Sequence, residues 1–260
     1  MSELLLELRT ERATRIARHM AERVRACVTT DTPYQHFHLV GAFPDEVYAE
    51  ILRSMPPRES YRPINIKRWK NAAGQSTRDR LALSDGEMSR VPDTIRSLWE
   101  DITAALVSRD VQQAVYSVLQ KDIALRLGRP VEDVLKQDAY ASVLLVRDFE
   151  DYYLKPHPDG QPRVVTVMFY LADEGSPTDL GTSLYRENTL LSRLIGKRFE
   201  EIGRFPYLPN SVGVFAVNDT PGRTSWHGRE LIVGPSVVRD SIILSYLSVS
   251  RPDFGSKHNY

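Results

Sequence analysis

A histidine and an aspartate with the spacing of metal ligands lie near the middle of the chain. His157 and Asp159 are separated by one residue at the end of an apparent strand, in the segment YYLKPHPDG. Because successive side chains of an extended backbone point to opposite faces, residues 157 and 159 share a face. The segment therefore presents two candidate ligands that can chelate one metal ion.

A third candidate ligand and a candidate carboxylate anchor follow later in the chain. His227, in TSWHGRE, comes after the strand-like segment SVGVFAV and the turn NDTPGR. Two imidazoles and one carboxylate on one side of an octahedral metal leave three positions for a bidentate ligand and O₂. Arg239 follows twelve residues later, in VVRDSIILSYL. Its planar guanidinium can hold a carboxylate through two parallel hydrogen bonds.

In this order, the four residues resemble the pattern of the Fe(II)- and 2-oxoglutarate-dependent oxygenases, which include the prolyl hydroxylases. The family pattern is His-x-Asp, then a distal His, then a basic residue. The surrounding segments RVVTVMFYLAD, LGTSLYR, PNSVGVFAVND, SWHG and RDSIILSY also look like the family core. The resemblance covers residues 137–250 and, more weakly, 34–52. It implies an α+β fold with a double-stranded β-helix (jelly-roll, cupin-like) core supported by N-terminal and central helices.

The resemblance also implies a cofactor chemistry and roles for named residues. His157, Asp159 and His227 would be the catalytic residues that bind Fe(II). Arg239, with Ser241 two residues on, would hold the distal carboxylate of the cosubstrate 2-oxoglutarate. Reaction with O₂ would give succinate and CO₂ while a substrate C–H bond is oxidised, with hydroxylation as the default outcome. Asp159 stands where related halogenases have Gly or Ala, which disfavours halogenation; ring closure, desaturation and epimerisation stay open.

Three further residues are candidates for substrate contact. Arg147, in LLVRDFEDYY, is placed to project into the barrel, with a salt bridge at the rim as the alternative. Asn218 belongs to the turn that precedes the distal His, and Trp226 is its direct neighbour. For Trp226, simple packing is the alternative to a role in the pocket.

Helical support in the first half and strands in the second half are expected to position these residues. Apolar spacing predicts a helix over 2–28, a strand over 34–41 followed by a helix from Pro44-Asp45, and two helices between Pro92 and Leu127. Residues 56–87 are rich in basic side chains and are expected to form a connection with short strands that faces solvent or an anionic substrate.

β-branched and aromatic runs separated by turn residues dominate from Ala139 onward, which is typical of an antiparallel sandwich or barrel. We therefore predict a single oxygenase domain over 1–260. Its parts are an N-terminal helical leader (1–32), helical support with the first strands (33–136), the jelly-roll core (137–250) and a polar tail (251–260).

Composition and charge exclude several other classes of protein. Basic and acidic residues number 34 each, so the formal net charge is zero and no overall field attracts nucleic acid or anionic membranes. No apolar stretch reaches the roughly 20 residues of a membrane span, and the N-terminus lacks the features of a secretory signal. The lone Cys27 permits no internal disulfide, which fits a cytoplasmic location.

The expected partner is a small-molecule substrate, such as an amino acid or a secondary-metabolite intermediate, rather than a membrane or a nucleic acid. The basic segment Arg58–Arg80 favours an anionic one. A homodimer formed through the N-terminal helix stays open.

Other interpretations of the same residues also stay open. His157 and His227 are compatible with ordinary histidines beside turns, with Asp159 as a turn residue. His36 and His38, in HFH, share a strand face and are an alternative metal pair of the cupin type. At the level of function, the alternatives are a non-catalytic jelly-roll binding or sensing module and a cupin-type metal enzyme that does not use 2-oxoglutarate.

Overall fold

Eleven strands within the described residues form the centre of the protein. The computed structural model describes residues 10–188, 196, 198–234 and 236–248, and the structural statements that follow refer to these residues. The strands are β1 (His36–Val40), β2 (Arg62–Pro63), β3 (Arg78–Ala82), β4 (Tyr140–Asp148), β5 (Leu154–His157), β6 (Arg163–Tyr170), β7 (Thr182–Glu187), β8 (Phe199–Phe205), β9 (Ser211–Ala216), β10 (His227–Arg229) and β11 (Arg239–Leu247).

The strands form two antiparallel sheets that face each other. The larger sheet has the order β1-β9-β6-β11-β4-β3-β2, and the smaller has the order β5-β10-β7-β8. From β4 to β11 the chain passes repeatedly between the two sheets, as in a jelly roll. Side chains from both sheets, including Met168 and Phe215 of the larger and Leu184 and Phe205 of the smaller, pack together between them.

Six α-helices in the described part of the chain accompany the sheets. They are α1 (Glu11–Arg25), α2 (Asp45–Arg53), α3 (Asp85–Met88), α4 (Asp93–Leu106), α5 (Arg109–Val118) and α6 (Gln120–Leu127). No helix in the described ranges is both long and apolar enough to cross a membrane.

The helices pack mainly on the outer face of the larger sheet. Val165, Val167 and Phe169 of β6 belong to one apolar cluster with Ile16 of α1 and Val115 of α5. Thr166, Met168 and Tyr170 of β6 face the smaller sheet. Because β6 is buried on both faces, its sequence is almost continuously apolar rather than alternating.

The region from 92 to 127 contains three helices, where the apolar spacing predicts two. The hydroxyl of Ser108 accepts a hydrogen bond from the backbone N–H of Val111, which starts α5 after α4 has ended. Leu119 then leaves the helical conformation and separates α5 from α6. The end of α6 is as predicted, because Gly128 adopts the left-handed conformation with φ of 63°.

The described part of the predicted leader is integrated into the protein core. Ile16 and Ala17 of α1 are fully buried, and the side chains of Thr10, directly before α1, and of Arg12 bond Asp101 of α4. Residues 2–9 of the predicted helix and the predicted tail at 251–260 lie outside the described residues. Strand β8 was not predicted, because most of its side chains are exposed and polar, as in an edge strand.

Candidate active site

Strands β5 and β10 bring the candidate metal ligands together. His157 and His227 are directly opposite each other in the pairing of these two strands, and their ring centroids are 4.3 Å apart. Asp159 follows the end of β5, and its carboxylate joins the same group. One ligand atom from each of the three side chains lies within 4.8 Å of the others. The structure thus assembles the predicted triad from residues 70 positions apart in sequence, 157 to 227.

Hydrogen bonds to the backbone orient both imidazoles. Nδ1 of His157 lies 3.0 Å from the carbonyl oxygen of Lys155, and Nδ1 of His227 lies 3.0 Å from that of Ser225. Because a carbonyl oxygen only accepts, each Nδ1 carries the proton and each Nε2 presents its lone pair. The Nε2 atoms lie 3.9 and 3.7 Å from the carboxylate oxygens of Asp159. This is the tautomer that metal-ligating histidines adopt.

Burial keeps both imidazoles neutral at pH 7. Burial and the neighbouring His227 lower the pKa of His157 to about 4. Burial also lowers the pKa of His227, although the charge of Asp159 acts in the opposite direction. Neutral imidazoles bind a metal without first losing a proton.

Asp159 is a buried carboxylate held by two side chains of β6. Arg163 donates to Oδ1, and the hydroxyl of Thr166 donates to Oδ2 at 2.6 Å. Burial by itself would raise the pKa of Asp159, but the Arg163 guanidinium and the two imidazoles outweigh it, so the pKa lies below its usual range. The triad therefore offers two neutral nitrogen donors and one anionic oxygen donor.

A cavity between the two sheets extends from the triad into the protein. The space inside it and at its open mouth together is about 560 Å³, and the triad side chains form part of its wall. Arg239 and Ser241 of β11 line the same cavity from the larger sheet, and Thr182 of β7 and Arg229 of β10 line it from the smaller. The predicted metal site and the predicted carboxylate anchor therefore share one space.

Arg239 is fixed by three protein contacts. Its Nε donates to the carbonyl oxygen of Leu180 at 2.6 Å, Nη1 to Asp148 at 2.7 Å and Nη2 to the hydroxyl of Thr182 at 3.3 Å. A guanidinium has five N–H donors, so donors remain for a ligand. Ser241 has a buried Oγ that makes no hydrogen bond within the described part of the chain. A buried hydroxyl without a partner at this position fits a site built to bind a polar group.

Asp148 also binds a second arginine, from the basic segment 56–87. Nε and Nη2 of Arg78 donate to the two oxygens of Asp148 at 2.5 and 2.9 Å. The guanidinium of Arg78 packs over Tyr152, 4.1 Å from the ring centroid. Of the two surroundings expected for this segment, solvent or an anionic substrate, Arg78 does not face solvent, because pairing of β3 with β4 places it inside, 5% exposed, on the cavity wall.

The structure does not bring the three candidate substrate residues to the cavity wall. Arg147 lies on the opposite face of β4 from Asp148, where it forms a salt bridge with Asp240 at 2.7 Å and covers Tyr61. Asn218 is fully buried in the turn before β10 and accepts a hydrogen bond from the backbone of Thr220.

Trp226 precedes His227 and so faces away from the triad, against Phe199 at a ring separation of 4.8 Å. The alternatives of a rim salt bridge for Arg147 and packing for Trp226 thus describe their positions.

His36 and His38 lie apart from the triad cluster. Both side chains contact Phe205, at ring separations of 5.8 and 6.0 Å. Burial lowers the pKa of each. Within the described ranges, the search for three or more His, Cys, Asp or Glu side chains that converge gives only the triad. The alternative metal pair therefore gains no third ligand there.

The sequence interpretation gave no site role to several polar residues of the cavity wall, among them Arg78, Arg163, Thr182 and Arg229, nor to Asp148, which binds Arg78 and Arg239. A residue two positions along a strand from one that faces the cavity also faces the cavity, and this alternation identifies some of them. Arg229 is two residues after His227 and so shares its face. For Arg78 and Asp148 the sequence contains no such reference point.

Sequence comparison matches the chain to no protein family and to no curated protein. The structure is similar to dioxygenase for auxin oxidation 1 from Arabidopsis thaliana, solved as a 2-oxoglutarate complex, with a TM-score of 0.52 and 12% identity over 92% of this chain and 93% of that chain. This similarity confirms the predicted fold.

Two bacterial structures are less similar. A prolyl-4-hydroxylase from Pseudomonas putida gives a TM-score of 0.47 and 11% identity over 90% of this chain and 99% of that chain. An oxidoreductase of the 2OG-Fe(II) oxygenase family from Burkholderia pseudomallei gives 0.45 and 12% over 96% of both chains.

Proposed function

We propose that this protein is an Fe(II)- and 2-oxoglutarate-dependent dioxygenase that oxidises a C–H bond of a small molecule, by hydroxylation in the simplest case. One observation carries the proposal: His157, Asp159 and His227 converge at one part of the cavity that Arg239 and Ser241 also line. A ligand triad and a carboxylate anchor in one enclosed space match the two binding requirements of this chemistry.

The triad residues fit an Fe(II) ion. Two neutral imidazoles with free Nε2 lone pairs and one carboxylate form the donor set that non-haem Fe(II) oxygenases use. His157, Asp159 and His227 would hold the ion. The carbonyl oxygens of Lys155 and Ser225 orient the two imidazoles by accepting hydrogen bonds from Nδ1. When bound, Fe(II) and 2-oxoglutarate would activate O₂, which is the oxidant, and protein side chains do not supply this chemistry.

The residues of the inner cavity would bind and orient the cosubstrate. Arg239, fixed by Leu180, Asp148 and Thr182, presents its remaining donors to the distal carboxylate, and the hydroxyl of Ser241 donates to the same group. Because these groups are held in place before the ligand arrives, little free energy is spent on ordering them. The buried position also limits access of water to the reacting end.

A small molecule is the substrate class that the cavity supports best. The cavity is a concave space between the two sheets whose wall combines apolar side chains with a few polar ones, which is typical of small-ligand sites. Lining residues come from strands of both sheets, which supports a rigid, preformed pocket. Amino acids and secondary-metabolite intermediates are the candidates of this size that the sequence suggested.

Formation of succinate from 2-oxoglutarate tests the proposal. Protein purified without oxygen and loaded with Fe(II) is exposed to O₂, and succinate is measured for wild type and for His157→Ala and Asp159→Gly. We expect slow succinate formation by wild type without added substrate, and its loss in both variants, because each removes one ligand.

His19→Ala is the matched control, since His19 bonds the carbonyl of Gly41 from helix α1, away from the cavity. This variant should keep wild-type turnover. Absence of turnover in wild type, together with no binding of Fe(II) or 2-oxoglutarate, would contradict the proposal and favour the non-catalytic binding module. Turnover without 2-oxoglutarate would favour the cupin-type enzyme.

A further inference from the structure

Arg229 is a second buried guanidinium at the inner part of the cavity. It follows His227 by two residues on β10, so both side chains face the larger sheet. Arg229 is 4% exposed and lines the cavity. Gly228 lies opposite Ser183 in the pairing of β10 with β7, which places Arg229 near the level of Thr182. Thr182 is one of the three residues that accept hydrogen bonds from Arg239.

The two arginines approach the cavity from opposite sheets. Arg239 belongs to β11 of the larger sheet, and Arg229 to β10 of the smaller. Both guanidiniums are buried and line the same cavity. Two like charges close together in a buried space repel, and an anion between them removes the repulsion.

The protein satisfies Arg229 less completely than Arg239. Glu230 accepts from Nη1 of Arg229 at 3.0 Å, but Glu230 is itself 38% exposed and is shared with Arg204. Nε of Arg229 is buried and makes no hydrogen bond within the described residues. Nε of Arg239, by contrast, donates to a backbone carbonyl. Arg229 thus has a buried donor without a partner, which costs free energy unless a ligand accepts from it.

We propose that Arg229 is a second anchor for the distal carboxylate of the cosubstrate, which lies between Arg229 and Arg239. This assignment rests on the proposed function. The carboxylate has about four acceptor positions and can bond both guanidiniums and the Ser241 hydroxyl together. Two fixed guanidiniums at one end of the cavity make Arg229 a specificity-determining residue that selects a dicarboxylic oxoacid over a monocarboxylic one.

Calorimetric binding of two oxoacids tests the role of Arg229. Protein loaded with Mn(II) is titrated in the absence of oxygen with 2-oxoglutarate and, separately, with 2-oxopentanoate. 2-Oxopentanoate is also a five-carbon 2-oxoacid, but it lacks the distal carboxylate. We expect Arg229→Gln to weaken 2-oxoglutarate binding about tenfold or more, because a charge-assisted hydrogen bond is lost. Binding of 2-oxopentanoate should change by less than about twofold, since it has no group for Arg229 to bind.

Arg204→Gln is the matched control, because Arg204 bonds the same Glu230 but lies on β8 outside the cavity lining. It should leave both affinities unchanged. Arg229→Lys, which keeps the charge, should recover part of the 2-oxoglutarate affinity. If Arg229→Gln does not fold, Arg229→Lys provides the test instead. Unchanged binding of 2-oxopentanoate by Arg229→Lys then shows that the site is intact.

Three outcomes would overturn the assignment of Arg229. Two of them concern Arg229 alone, and the third also contradicts the proposed function. Equal losses for both oxoacids would show a structural role for Arg229, and no loss for either would show that it does not contact the ligand. If Mn(II)-loaded wild type binds neither oxoacid, the proposed function fails and the assignment of Arg229 fails with it.

Discussion

At the scale of single residues, the polar groups at the cavity are of two kinds. Some stabilise the protein, and others are free to bind a ligand. Asp148 is fully buried between Arg78 and Arg239 and serves the first purpose, because removal of one partner of a buried ion pair leaves an uncompensated charge. The hydroxyl of Ser241 serves the second, since no described protein group bonds it. Removal of a group of the first kind should lower stability, whereas removal of a group of the second kind should weaken ligand binding.

Ser241→Ala should weaken 2-oxoglutarate binding about threefold to tenfold and leave the free energy of unfolding unchanged or slightly higher, because no protein hydrogen bond is lost. Ser211→Ala is the control with the opposite pattern. Its hydroxyl donates to the carbonyl of Leu208 at 2.8 Å, so its loss should cost about 1 kcal/mol of stability without affecting binding. Urea denaturation and calorimetry measure the two quantities. A large loss of stability in Ser241→Ala would show that its hydroxyl has a protein partner.

At the scale of elements, the metal site depends on how closely strand β10 approaches β5. Gly228 stands between His227 and Arg229, and a Cβ added there would lie 2.7 Å from the carbonyl oxygen of Leu154 and 3.2 Å from the nitrogen of Pro156. Both contacts are with backbone, which cannot rotate away as a side chain can. A side chain at residue 228 would therefore push apart the two strands that carry His227 and His157.

Gly228→Ala should raise the dissociation constant for Mn(II) about tenfold, because displaced strands misplace the two imidazoles. Gly203→Ala on β8 of the same sheet is the control, since its Cβ would meet no atom within 4 Å. It should bind Mn(II) like wild type. Electron paramagnetic resonance of free Mn(II) measures the affinities. Equal affinities of the two variants would show that the strands adjust without moving the ligands.

At the scale of the whole molecule, the helices and the site occupy opposite sides of the larger sheet. Its outer face packs against α1, α4 and α5, and its inner face forms the cavity. The triad links β5 and β10, the second and the seventh of the eight jelly-roll strands β4–β11, which are far apart in sequence. A metal bound by both strands exists only in the folded chain, so its binding free energy adds to stability.

Mn(II) at a free concentration of 100 times its dissociation constant should raise the free energy of unfolding of wild type by about 2.7 kcal/mol. His227→Ala should show no such increase, because it lacks the ligand from β10. Urea denaturation with and without Mn(II) measures the difference, and His19→Ala provides the control that should respond like wild type. Equal stabilisation of His227→Ala would place the Mn(II) outside the triad.

The sequence by itself determined the order and spacing of the triad, because alternation along a strand puts His157 and Asp159 on one side whatever the strand packs against. It also determined most of the strands, whose apolar and β-branched runs are local features. Only the tertiary structure decided that Arg78 and Asp148 lie inside while Arg147 lies outside. Alternation along a strand assigns side chains to two faces, but it does not identify which face points toward the cavity. The pairing of β3, β4 and β11 makes that choice, since it joins segments distant in sequence through contacts that no local pattern encodes.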